Sequence, residues 1–282
     1  MLKQGSIACL NIGDATRTVD NNFQLYSNHS RILNFCLGIG FQALPEILWR
    51  KQTNAPNKFM GSGMLPAGAY VTLEHEYILL LRKDGKRSFE TSLEKLNRAR
   101  SAFFWEERNT WFSDIWYFKG IKQNLKNSPA RKRSGAFPFE LAYRLVNMFS
   151  VKGDMVLDPF LGTGTTMLAA MASARNCIGA EINPELEQII RSQIEGVLPL
   201  ANTRIGERLE GHLNFVQDFE KSGRKLKHSS RHYGFPVMTR QEIEIMINYL
   251  KNLKTRNQLT YEIDYIEEAR LDMIGDQLIL SF

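Results

Sequence analysis

The sequence predicts an α/β protein built on a doubly wound, mostly parallel sheet, and three observations lead there. The stretch DMVLD (154–158) has strand character and runs through a glycine loop, LGTGTT, into a helix, MLAAMASA. The pattern then repeats: NCIGAEI (176–182) reads as a second strand, and PELEQIIRSQIEGVL (184–198) as a second helix opened by a proline in its first turn. A chain of 282 residues with 43% hydrophobic and 23% charged content is long enough to bury one large core or two modest ones.

In chain order, SIACLNI (6–12) reads as a short buried strand and SNHSRILNFCLGI (27–39) as an apolar-faced helix. FQALPEILWRK (41–51) is a further strand, with Pro45 setting a break or an edge near its middle. Residues 52–68, rich in Asn, Pro and Gly, form a long loop, and YVTLEHEYILLLRK (70–83) returns to strand character. From Arg100 to Lys119 the chain is densely aromatic; FELAYRLVNMF (139–149) then reads as a helix closed by the turn SVKGD. Residues 201–235 are polar and basic apart from HLNFVQ, a candidate strand. RQEIEIMINYLKNL (240–253) suggests an amphipathic helix, and the tail a terminal strand pair.

No run of apolar residues approaches the length of a membrane span, and the first residues lack the pattern of a secretory signal, so a cytoplasmic protein is expected. Cys9, Cys36 and Cys177 stand singly in apolar stretches and read as buried free thiols. The formal charge is +6, concentrated in one cluster at Lys119, Lys122, Lys126, Arg131, Lys132 and Arg133 and another at Lys221, Arg224, Lys225, Lys227 and Arg231. Such clusters suit a polyanionic partner, although a basic run by itself is more often a solvated loop.

The most informative string is DPFLGTGTT, with Asp158, Pro159, Phe160, Gly162, Thr163, Gly164, Thr165 and Thr166 between strand and helix. Gly162 and Gly164 permit a tight turn and a close backbone approach, and the helix beyond offers free N–H groups. Glu181 ends the second strand, where a carboxylate can accept hydrogen bonds from both hydroxyls of a ribose. No lysine follows the glycines, which excludes a phosphate-binding P-loop, and G-x-G-T-T departs from the nicotinamide fingerprint. A ligand-free turn is the competing reading for a bare G-x-G.

DPFLGTGTT followed by IGAEINPE resembles the cofactor motifs of DNA amino-methyltransferases acting on cytosine N4 or adenine N6, in the permuted (beta) order that places the cofactor half after the catalytic half. The resemblance covers about 1–200 and implies an S-adenosylmethionine-dependent methyltransferase sheet, circularly permuted, with a C-terminal α+β appendage. AFPFELAYRLV (136–146) is similar to the segment that holds the methionine end of the cofactor, which adds Phe137, Pro138, Phe139 and Leu141 to the candidate site, with Asn183 from the second motif. It implies four regions: 1–90, the remainder of the catalytic half; 91–135, a target-recognition insert; 136–200, the cofactor half; and 201–282, the appendage. Within the insert, Trp105, Arg108, Trp111, Lys119, Lys122, Arg131, Lys132 and Arg133 are candidate DNA contacts; packing of a small subdomain is the alternative for the rings. Double-stranded DNA and a cognate restriction endonuclease are the partners implied.

One departure from the family is decisive for activity. Its chemistry rests on Ser/Asp/Asn-Pro-Pro-aromatic, which holds a flipped base in line with the methyl donor. All nine prolines here stand alone, so the tetrapeptide is absent from this chain. In the permuted order it would end a strand lying before SIACLNI, so the sheet is expected to be incomplete at its N-terminus, with a complementing polypeptide as a further candidate partner. FPFEL favours cytosine N4 over adenine N6. A catalytically incomplete cofactor- and DNA-binding subunit, or an RNA or small-molecule methyltransferase, are the rival readings. A cysteine-nucleophile enzyme of the C5-cytosine kind is excluded, because that chemistry needs a Pro-Cys pair and no cysteine here follows a proline. Glu74, His75 and Glu76 are not read as a metal site, since alternation sends them to opposite strand faces. Asn11 and Asp14 could face a pocket or stabilise a turn.

Overall fold

A computed structural model describes residues 2–51, 60–120 and 137–267. The chain divides into two compact units, Met1–Ser88 with Phe112–Lys122, and Phe89–Trp111 with Gln123–Phe282.

The first unit begins with β1 (Ile7–Ile12), followed by a hairpin of β2 (Ala15–Val19) and β3 (Asn22–Tyr26). Its two-residue turn, Asp20-Asn21, has φ of +49° and +60°, the left-handed pair that matches the twist of the flanking strands. Helix α1 (Asn28–Gly38) then crosses to β4 (Phe41–Arg50). A small ladder, β5 (Met60–Gly61) with β6 (Ala69–Tyr70), leads to β7 (His75–Lys83), and β8 (Ile115–Tyr117) completes the unit. The strand expected over 70–83 therefore starts only at His75, and the loop expected over 52–68 carries a strand pairing at its end.

The sheet order is β1-β7-β4-β8. Strand β7 lies antiparallel between β1 and β4, while β8 runs parallel to β4. The expectation of a mostly parallel sheet is thus corrected to a mixed one. The crossover through α1 makes β1 and β4 parallel to each other, but the return from β4 has no helix among the described residues and brings β7 back between them in the opposite sense. One face of the sheet packs Leu79, Leu81, Leu10 and Phe41 against Cys36, Ile32 and Leu33 of α1. Ile47, Trp49, Ile78 and Trp116 are buried as well. Between Leu44 and Ile47 the register of β4 slips by one residue relative to β7, a bulge at Pro45, which has no N–H to give to a ladder. Beyond the bulge Ile47 pairs with Ile78 and Trp49 with Glu76, so Trp49 shares its face with Ile78 rather than with Leu79.

The second unit opens with α2 (Ser92–Arg100), capped by Thr91 and Glu94 in a reciprocal box, and α3 (Trp105–Trp111). Helix α4 (Phe139–Phe149) precedes β9 (Met155–Asp158), α5 (Thr165–Ala172) and β10 (Asn176–Gly179), which pairs parallel with β9. A short 3-10 turn at Pro184–Leu186 enters α6 (Glu187–Glu195), and Gly196 separates it from α7 (Val197–Lys221). Two small antiparallel pairs follow: β11 (His228–Ser229) with β12 (Pro236–Val237), and β13 (Leu250–Asn257) with β14 (Thr260–Tyr265).

Two expectations for the C-terminal part are corrected. HLNFVQ is not a strand but the middle of α7, whose Ala201, Ile205, Leu209, Leu213 and Val216 are buried at helical spacing. The segment 240–253 is not an amphipathic helix: a 3-10 turn at Arg240–Glu242 leads into extended chain, in which Ile245, Ile247 and Tyr249 are buried at alternate positions, and then into β13. Helix α7 packs against α5, and the Tyr265 hydroxyl donates to the carbonyl of Met171 in α5 (2.8 Å), so the described residues from 201 onward lie in the second unit with α4 to α6. The terminal strand pair is present as β13 and β14; the tail from 268 lies outside the described residues. The stretch 91–135 is likewise shared between the units, with 89–111 in the second and 112–122 in the first.

Candidate functional site

Strands β9 and β10 end side by side, Asp158 opposite Gly179, and their carboxyl ends are where open α/β sheets bind ligands. The turn after β9 is held by the Asp158 side chain, by the chain just after β10 and by a bond within its own backbone. The Phe160 N–H donates to Asp158 Oδ1 (3.0 Å) and the Leu161 N–H to the carbonyl of Ala180 (2.8 Å). The Gly164 N–H donates to the carbonyl of Leu161 (3.0 Å). Gly162 and Gly164 adopt φ of +57° and +90°, a left-handed geometry that disfavours any side chain, so both glycines are required by conformation. Gly164 stands at the N-cap of α5, leaving the first-turn N–H groups of Thr165 and Thr166 without helical acceptors.

Glu181 fastens the two turns together. Its Oε2 accepts the Gly162 N–H (2.8 Å) and its Oε1 accepts the Asn183 N–H (2.8 Å). An ionised carboxylate offers about four lone-pair directions, so these bonds leave roughly two for a ligand. Phe160 and Ile182 flank this feature and are 87% and 97% exposed. Asn183 turns its own Oδ1 to the Glu185 N–H (3.1 Å) and so caps the 3-10 turn. Pro159 is exposed, and Thr163, Thr165 and Thr166 are half-buried. Burial, reinforced by the charge of Asp158, pushes the Cys177 thiol up to about 12, which keeps it protonated.

Helix α4 packs on α5, with Pro138 in extended geometry at its start. Phe137 and Phe139 are half-buried, and the Phe139 ring stacks on Tyr143 at 5.4 Å. Leu141 is buried in the core. Glu140 accepts from Arg144 and Arg204; burial pushes its carboxyl up, but the Arg204 hydrogen bond and charge, followed by those of Arg144, hold it below the usual range.

Trp105 is partly exposed, its ring 5.7 Å from Phe215, and Arg108 is exposed at the end of α3. Trp111 is buried, with the Arg208 guanidinium 5.0 Å above its ring and Tyr143 edge-on. It presents no face on which a base could stack, and is corrected from a DNA contact to a core ring. Lys119 is exposed in the first unit, whereas Lys122, Arg131, Lys132 and Arg133 lie outside the described residues.

In the first unit Asp14 holds the start of α1, with Oδ1 accepting the His29 N–H (3.0 Å) and Oδ2 facing His29 Nδ1 (2.7 Å). Asn11 donates to Glu76 (2.7 Å), which Lys51 also approaches, while Glu74 pairs with Arg50 and His75 meets the Tyr77 ring. Sequence reasoning missed Gly179 and Leu161: a Cβ on Gly179 would lie 2.6 Å from Leu161 Cδ2. The signal was the glycine next to the acidic strand end.

A protein family described as DNA methylase matches residues 1–192. The type II methyltransferase M.MthZI of Methanothermobacter thermautotrophicus is 50% identical over 264 residues, 93% of this chain and 73% of its own length. M.MjaI of Methanocaldococcus jannaschii is 50% identical over 194 residues, 69% of this chain and 63% of its own length. Among solved structures, a protein of Thermus thermophilus described as a DNA modification methylase, in complex with S-adenosyl-L-methionine, aligns with a TM-score of 0.54 and 33% identity over 68% of this chain and 69% of that one.

Proposed function

The chain belongs to the DNA methylase family, and on that premise we propose that it serves methyl transfer from S-adenosylmethionine to an exocyclic amino group of double-stranded DNA, cytosine N4 in preference to adenine N6. The observation that carries this reading is the Glu181 carboxylate braced between the Gly162 and Asn183 N–H groups. The donor set fits the cofactor: free acceptor positions on Glu181 suit the ribose hydroxyls, and exposed Phe160 and Ile182 offer apolar surface for the adenine. Phe137, Pro138 and Phe139 are the residues for the methionine end. When bound, the cofactor supplies an electrophilic methyl group on a sulfonium. The chain's own task is to bind and orient it, which in such transfers contributes much of the rate.

These 282 residues contain no Pro-Pro, so the tetrapeptide that holds the target amine in the resembled family is not among them. We infer that polypeptide outside this sequence supplies them. Two features support this: among the described residues, β1 pairs only with β7 and β9 only with β10, so each strand has one edge without a ladder partner. Unpaired strand edges are costly when buried and are the natural seat for an added strand. The type II names of the relatives favour a cognate endonuclease as partner and the cytoplasm as the place of action.

The test is transfer of labelled methyl to unmethylated duplex DNA by the purified chain, with RNA in parallel and the modified nucleoside identified by mass. Cofactor binding without transfer is expected from the chain alone, and N4-methylcytosine once the missing strand and tetrapeptide are added in trans. Transfer by the chain alone would overturn the inference of an external contribution, and failure to bind S-adenosylmethionine would overturn the whole assignment.

A further inference from the structure

Inside the second unit, away from the turns after β9 and β10, four cationic side chains converge on one small cavity: Arg100 from the end of α2, Lys152 from the turn before β9, Arg175 between α5 and β10, and Arg208 from α7. Tyr143 and Asn147 of α4 complete the wall. The cavity measures about 20 Å³, room for about one water-sized sphere.

The charges do not balance. Arg208 is neutralised by Glu107, through Nε to Oε1 (2.6 Å) and one terminal nitrogen to Oε2 (2.8 Å). Arg175, buried, gives its hydrogen bonds to the Ser150 hydroxyl (3.0 Å), the Ser150 carbonyl (2.7 Å) and the Ser173 carbonyl, which are neutral. Lys152 donates to the Met246 carbonyl and Asn248 Oδ1, also neutral. Arg100 Nε is fully buried and has no acceptor among the described residues. Asp154 is the carboxylate acting on Arg175, and it already accepts the Val151 N–H (2.8 Å). Three cations thus surround the space with one carboxylate among them. The lysine registers the excess: burial first, then the charges of Arg175, Arg100 and Arg208, pull its ammonium down to about 7.

We propose that this cavity is a binding site for one small monovalent anion of chloride size, seated against Arg100 Nε and the Lys152 ammonium. Water would satisfy the bare Nε but would leave the charge standing, and unbalanced buried charge is the more expensive defect. Lys152 keeps a third N–H beyond its two bonds, and Arg175 has five donors of which three are engaged, so donors remain to face an anion. Tetrahedral oxyanions are too large for the space. The occupant would tie α2, α4, α5 and α7 to the 246–248 segment.

The experiment measures, at about pH 6 where the Lys152 ammonium is charged, thermal unfolding of the full chain in sodium chloride, sodium gluconate and sodium sulfate at equal ionic strength, together with the chloride-35 NMR linewidth. The expected result is a saturable rise in midpoint of about 2–4 °C in chloride over gluconate, with excess line broadening, both lost in Arg100→Gln that retains the parent circular dichroism. Equal midpoints in chloride and gluconate, with no excess broadening, would overturn the site. Sulfate matching chloride would overturn the assignment of size and valence. Should Arg100→Gln not fold, the wild-type comparison of chloride with gluconate decides alone. None of these readouts depends on methyl transfer.

Discussion

Glu181 Oε2 lies 2.8 Å from the amide nitrogen of Gly162, nineteen residues earlier in the chain. The contact makes the shape of one turn and the direction of one carboxylate a single property, because neither can shift without breaking a charge-assisted hydrogen bond.

Replacing Glu181 with alanine removes the acceptor for both the Gly162 and Asn183 N–H groups. A hydrogen bond to a charged group contributes about 1.5–3 kcal/mol, so cofactor affinity should fall roughly tenfold or more. Isothermal titration with S-adenosylmethionine measures this, and an unchanged dissociation constant would remove Glu181 from the site.

Gly179→Ala should destabilise the second unit by about 1–3 kcal/mol, the usual cost of overpacking. The added Cβ would meet Leu161 at Cδ2 (2.6 Å), Cδ1 (2.7 Å) and Cγ (3.0 Å). Combining it with Leu161→Ala should cost less than the sum of the two single changes. Denaturant unfolding of the four proteins measures the coupling, and strict additivity would show that the contact is not what makes glycine necessary.

Glu107→Gln leaves the buried Arg208 guanidinium without its counter-charge, with a neutral amide oxygen in place of the carboxylate beside the Tyr143 hydroxyl (3.0 Å) and the faces of Trp111 and Tyr143. Stranding one partner of a buried pair costs about 3–5 kcal/mol, whereas replacing both with apolar groups of similar volume is often nearly neutral. Urea midpoints should therefore rank Glu107→Gln below the double change Glu107→Leu with Arg208→Met.

In chloride-free buffer, stability should rise with pH above neutrality. The Lys152 ammonium is depressed to about 7 in the folded chain from 10.5, so between these values the unfolded chain binds the extra proton and the unfolding free energy grows as pH increases. The slope cannot exceed about 1.4 kcal/mol per pH unit for one proton. Above about pH 9 it is opposed, because Cys177, pushed up to about 12 by burial and by the charge of Asp158, stays protonated in the folded chain while the unfolded thiol ionises; Cys9, expected to be buried, is exposed and adds nothing to this. The Lys152→Met variant should lose the rise between pH 7 and 9, read from denaturant midpoints across that range; a parent-like slope would assign it elsewhere.

The turn from Asp158 to Thr166 was legible because its demands are local. Two left-handed positions call for glycine, and a strand end followed by a helix start calls for free N–H groups. The place of β7 was not legible in the same way, since its alternation fits either direction of pairing and only long-range contacts choose one. Helix α7 was hidden by its polarity: Arg208 and His212 sit on its buried stripe and look like surface residues until Glu107 and Glu106, more than a hundred positions away, are brought against them. The hairpin at 15–26 escaped because Asp20-Asn21 lacks the glycine that usually marks such a turn. Trp111 shows the reverse error, an aromatic chosen for its chemistry that the fold uses for packing.

The single extra residue between Leu44 and Ile47 decides which side of the sheet receives Trp49. Without it, strict alternation would turn Ile47 and Trp49 toward α1 and break the bond from the Trp49 ring nitrogen to the Phe118 carbonyl (2.9 Å). Many side chains could stand at positions 45 and 46, but their number cannot change. In β4, then, the constraint is on length: deleting one residue at 45 or 46 would reverse the face of every side chain from Ile47 to Arg50.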